Sequence, residues 1–132
     1  MSYMEKRPVV LNGVLWTVQV LLALLFTWAA AMKLLKPAAG LALMWPWTAA
    51  HRGLVLFTGC LDLLAAIGLV LPAALRIRPV LTVYAAWGAC VLMVAAIVFH
   101  LLRGEAAGTG VNIIVALMSV FVAWGRGRKI RL

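Results

Sequence analysis

Four long stretches of this chain are nearly free of charge, and short polar or proline-bearing segments separate them. The first covers residues 9–32 and the second residues 53–71, with a single acid, Asp62. The third covers residues 80–102, with His100 near its end, and the fourth residues 107–125, with Asn112 and Ser119. At 1.5 Å per residue, helices of these lengths reach or approach the ~30 Å thickness of a bilayer's hydrocarbon core. Strands fit poorly, because alternating segments of about ten residues are absent and a short sheet leaves open edges in lipid. The pattern predicts an all-α integral membrane protein, a four-helix bundle occupying residues 1–132 as one domain.

Composition supports lipid as the solvent. The chain is 67% hydrophobic and 11% charged, whereas a soluble domain carries roughly a quarter of its residues as charges. Glu5, Lys6 and Arg7 precede the first stretch in the manner of a signal peptide, and Ala29-Ala30-Ala31 imitates a cleavage site. The stretch exceeds the roughly 7–15 residues of a signal core, so a retained span is expected. The net charge of +9 lies at the ends of apolar runs. That placement points to lipid headgroups and topology, not to nucleic acid. Four spans put both termini on one side, with Lys6, Arg7, Arg76, Arg78, Arg126, Arg128, Lys129 and Arg131. Lys33, Lys36, Arg52 and Arg103 fall on the other. The positive-inside rule then places both termini in the cytoplasm. The expected location of this multi-pass protein is a bacterial inner (plasma) membrane. Arg126, Arg128, Lys129 and Arg131 read as headgroup contacts. Cys60 and Cys90 lack metal-ligand spacing and read as small buried hydrophobes, or else as a redox pair between spans.

Polar residues within spans are costly in lipid and should face protein or enclosed water. Asp62 shares its face with Thr58, Gly59, Ala65 and Ala66, small residues that let another helix approach. Gln19 and Lys33 lie within about 40° of one stripe. Asn112, Ala116, Ser119, Ala123 and Arg126 form another, and His100 stacks over Ala96 and Met93. Lys33, His100 and Asn112 belong near the outer ends of their helices, with Asp62 about 13 Å down. Lys33, Asp62, His100 and Asn112 are therefore the candidate ligand-binding or buried polar cluster, with no catalytic or metal-binding residue assigned. Lys33 can answer Asp62 directly, through water or through His100, and all three routes stay open. A faint repeat aligns Lys33-Leu34-Leu35-Lys36-Pro37 with His100-Leu101-Leu102-Arg103-Gly104 and places the two cations at equal depth. Residues 37–52 carry Met44-Trp45-Pro46-Trp47. This segment is expected along the outer interface, either as an anchor or as a lid over the bundle's mouth.

The run Gly59-Cys60-Leu61-Asp62, continuing to Gly68-Leu69-Val70-Leu71-Pro72, resembles the second span of DoxX-like membrane proteins. Lys33, His100 with Arg103 and Gly104, Asn112, and Trp124-Gly125-Arg126 resemble the same family in order and spacing across nearly the whole chain. The resemblance implies a small four-helix membrane protein. The family more often carries glutamate where Asp62 stands, and aspartate has a reach one methylene shorter. Relatives of this kind include a membrane subunit linked to thiosulfate:quinone oxidation and, more distantly, an assembly factor for nicotinic receptors.

Two functional expectations lead. One is a redox-associated protein binding a quinone or similar apolar small molecule in an outer-half pocket, with Lys33 or His100 donating to a carbonyl. Two isolated cysteines and two distant histidines argue against haem or iron–sulfur ligation, so electrons would come from a redox partner protein. The other is a non-catalytic module for membrane assembly or interaction, in which the polar cluster fixes helix register. A transporter is the weaker alternative, since no span is broken near its midplane; a homo-oligomer could still form a pore.

Overall fold

The computed structural model describes residues 3–78 and 80–129, with side chains from Val9 onward apart from residues 79, 108 and 129. It is all-helical: α1 (Tyr3–Leu35), α2 (Ala38–Met44), α3 (Arg52–Leu75), α4 (Val80–Leu102) and α5 (Gly110–Trp124). A 3-10 turn at Pro46–Ala50 joins α2 to α3, a second at Ala106–Thr109 leads into α5, and a π turn at Gly125–Lys129 closes it. Four segments are long and apolar enough to cross a membrane: Val9–Leu35, Arg52–Leu75, Val80–Leu102 and Gly110–Arg128.

Element boundaries differ from the sequence expectation in two instructive places. The second span was expected to stop at Pro72, yet α3 continues to Leu75. Its end is set instead by Arg76, which adopts φ 55° as the backbone N–H groups of Arg76 and Ile77 bond back to Ala73 and Pro72 carbonyls. At the other discrepancy, residues 107–109 belong to a 3-10 turn, so the last span begins at Gly110 and runs on past Gly125.

Helix α1 packs chiefly on α3, α3 on α4, and α4 on α5, while α1 and α5 meet only slightly. Small residues make the close crossings. A methyl group on Gly68 would lie 2.7 Å from the Ala85 Cβ across the α3–α4 interface. Leu22, Phe26, Ala65, Leu69, Ala86, Ala89, Val115 and Val122 fill the core between the four spans. The lateral surface of the spans is apolar: Val9, Leu24, Phe57, Leu64, Tyr84, Val91 and Leu117 are all more than 60% exposed. Such a shell is stable only against hydrocarbon.

Candidate functional site

At the end of the bundle carrying the tryptophan-rich connection, residues of all four spans line a cavity of about 490 Å³. Asp62 enters it from α3, and burial among Ala65, Ala66 and the neighbouring helix makes a counter-charge necessary. Lys33 supplies it directly: Nζ donates to Asp62 Oδ2 at 2.9 Å and to Thr58 Oγ1 at 3.2 Å. Thr58 passes its own hydroxyl hydrogen to the Leu54 carbonyl at 2.8 Å. Gly59 allows this contact, because a side chain there would come within 3.0 Å of the Lys33 Cβ. The shorter reach of aspartate is thus compensated by a close α1–α3 approach.

His100 and Asn112 line the same cavity, so all four candidate residues converge on one space. His100 does not reach Asp62. Its Nδ1 lies 3.3 Å from Glu105 Oε1, which also accepts from Arg103 Nε at 2.7 Å. The Arg103 and His100 hydrogen bonds hold the Glu105 carboxyl below the usual glutamate range. Gly104, at φ 75°, turns the chain so that Glu105 folds back toward His100. Glu105 is a cavity residue that the sequence reading missed; an acid five residues beyond His100 and just after a glycine was the available signal. The Asn112 amide makes no hydrogen bond among the described residues and is half-buried against the cavity.

The tryptophan segment covers the cavity's end. Trp47 meets the edges of Phe99 and His100 with centroids 5.5 and 6.3 Å apart, and Lys33 Nζ lies 5.8 Å from its ring. Lys33 and His100, aligned in the faint repeat, therefore flank one indole. Trp45 stands edge-on to Trp28 at 5.6 Å. Aromatic and apolar walls, with a few converging polar groups, are the usual makeup of a small-molecule site.

A second polar cluster joins α1, α3 and α5 far from this cavity and corrects one expectation. Arg126, read as a headgroup contact, is 3% exposed. Its Nε donates to Gln19 Oε1 at 2.6 Å and its Nη1 to Asn12 Oδ1 at 2.7 Å, while the guanidinium stacks on Trp16. Gln19 in turn donates to the Leu69 carbonyl at 2.6 Å. The π turn carries Arg126 inward, with Gly125 against Leu15. The cysteines also differ from expectation: both are free, Cys60 is exposed on the apolar surface and Cys90 is half-buried. Neither is a core packing residue, and they do not pair.

Four apolar spans enclosing a polar-lined cavity define a small polytopic helical membrane protein. The sequence pattern of the DoxX-like family matches residues 17–122, most of the chain, and the protein belongs to that family. No curated protein and no solved structure matches it.

Proposed function

We propose that this protein binds an amphipathic, quinone-like small molecule in the cavity beneath Trp45 and Trp47 and acts beside a redox partner in the membrane. The observation that carries the reading is the convergence of Lys33, Asp62, His100 and Asn112 on one aromatic-walled space of about 490 Å³, a volume typical of ligand sites. An ammonium has three donor hydrogens, and among the described residues Lys33 uses two, on Asp62 and Thr58. The third suits a ligand carbonyl. Asp62 Oδ1, which has no donor among the described residues, suits a ligand hydroxyl. A quinone and its quinol present these two groups.

The Trp-covered end faces outward in this reading, with both termini in the cytoplasm. Setting aside the buried Arg126 and the paired Lys33 leaves seven basic residues on the terminal side against three opposite, which keeps the positive-inside bias.

Titration of the protein in lipid nanodiscs with a short-chain benzoquinone tests the reading, because Trp28, Trp45 and Trp47 line the site and report by quenching. Saturable quenching is expected, weakened about tenfold by Asn112→Leu through loss of one hydrogen bond of about 1–1.5 kcal/mol. Linear quenching, unaffected by Asn112→Leu or His100→Phe, would refute it.

A second reading, an assembly module, draws on a shallow groove of about 180 Å³ between α3 and α4, lined by Leu61, Ala65, Ala85, Gly88 and Leu92. Small residues there would admit a partner helix. A constant co-purifying membrane protein, lost with Gly88→Leu, distinguishes this reading from the first.

A further inference from the structure

The cavity's two ends are built differently from its flank. Over the Trp-covered end, Trp47 packs against Phe99 and His100, Trp45 against Trp28, and Glu105 ties His100 to Arg103. Toward the opposite end, Phe26 and Val115, 2% and 3% exposed, form part of the packed core and close the floor. Beyond them α1 and α5 are locked together by Arg126 with Gln19 and Asn12, and by Gly125 against Leu15.

Between floor and roof, α1 and α5 line the space without sealing it. Leu25 and Trp28 of α1 and Val111 of α5 line the cavity, yet Trp28 is 48% and Val111 63% exposed. A residue that both lines a cavity and lies open to the surroundings marks its rim. Leu25 stands ten residues before Leu35, the end of α1, which puts the rim's lower edge about 15 Å from that end. That depth is hydrocarbon, not water. The neighbouring surface of Leu24, Leu117 and Ile114 is equally apolar and exposed.

We infer that the cavity is reached sideways from the bilayer, through a gap between α1 and α5 bounded by Leu25, Trp28 and Val111, and that the hydrocarbon chain of its ligand lies in this gap. The inference rests on the ligand reading above for its occupant, but the gap itself is independent of it. Lys33, His100 and Asn112 hold the polar head inside the bundle, while an isoprenoid or acyl chain trails into lipid. The molecule moves between bilayer and site without exposing its chain to water.

A nitroxide placed by Ala96→Cys, in a Cys60→Ser/Cys90→Ser background, sits on the cavity wall and reports who collides with it. In phosphatidylcholine vesicles, dissolved oxygen samples the hydrocarbon and a nickel chelate samples water. Oxygen access severalfold above chelate access is expected, and Val111→Trp should lower it severalfold while the lipid-facing control Leu64→Trp does not. Leu25→Trp, on the opposite rim, should act like Val111→Trp and serves if that variant does not fold. Chelate access equal to or above oxygen access, or indifference to both rim variants, overturns the gap even if the benzoquinone binds. Lipid access without saturable benzoquinone quenching leaves the gap standing and removes the ligand reading. Where the probe does bind, Val111→Trp should slow its association severalfold.

Discussion

Replacing Lys33 with methionine removes a cation and keeps most of the aliphatic stem. The pair it breaks is enclosed: Nζ and Oδ2 are 2.9 Å apart, with the two side chains 13% and 3% exposed. At an effective dielectric constant of about 20, their attraction is about 6 kcal/mol. Desolvation of both groups offsets much of that, so the pair itself adds little net stability over an apolar replacement. An unanswered carboxylate is different, because its burial is no longer compensated; removing one partner costs about 3–5 kcal/mol. Among the described residues no other cation pairs with Asp62: His100 faces Glu105, and Arg126 is engaged with Gln19 and Asn12. Lys33→Met should therefore lower the unfolding free energy by about 3–5 kcal/mol, whereas Lys33→Met with Asp62→Leu should return to within about 1 kcal/mol of the parent. Unfolding by dodecyl sulfate in mixed micelles, followed by helical circular dichroism, measures both. A single variant as stable as the parent, or a double variant as unstable as the single, would show that Lys33 does not answer Asp62.

Four other outcomes follow from the packing. Arg126→Ala leaves the Gln19 and Asn12 carbonyl oxygens without their donor and should cost at least about 1.5–3 kcal/mol in the same titration. Gly68→Ala forces a methyl group against Ala85 and should cost about 1–3 kcal/mol, since a Cβ cannot rotate away. Thr82 is fully buried and its hydroxyl has no partner among the described residues; Thr82→Val should be neutral or stabilising by up to about 1–2 kcal/mol. Glu105 has its carboxyl held low when folded, so its contribution is present above the ordinary glutamate value of 4.5 and fades as pH falls through the lower folded value. The Trp47-dependent emission, obtained by difference from Trp47→Phe, should change in that acid window and become flat in Glu105→Gln.

The spans and the Lys33–Asp62 relation were legible because lipid enforces them: long uncharged runs must be helices, and a buried acid needs a nearby cation. The choice among direct, water-mediated and His100-mediated contact was not, because it depends on how closely α1 approaches α3 at Gly59. Glu105 escaped notice because a turn at Gly104, and not helical periodicity, brings it to His100. Arg126 shows the limit of reading charge by position. It stands on the stripe with Ser119 and Ala123, both buried, yet its place at the end of an apolar run suggested a headgroup contact. The amides of half-buried Asn12 and buried Gln19, one turn either side of Trp16, were the counter-signal. Cys60 erred in the other direction, since an apolar neighbourhood in sequence does not distinguish core from lipid.

The unequal lengths of the first and last spans carry a mechanical consequence. Val9–Leu35 has 27 residues and Gly110–Arg128 has 19, about 40 Å and about 28 Å of helix. In an acyl layer of roughly 30 Å, the shorter rod can stand upright while the longer one must lean or protrude. With the two fastened at the Arg126 end, leaning spreads them at the other like the blades of opened shears. Thicker membranes would draw the blades together and thinner ones part them, so acyl-chain length becomes a dial on how wide this protein stands open.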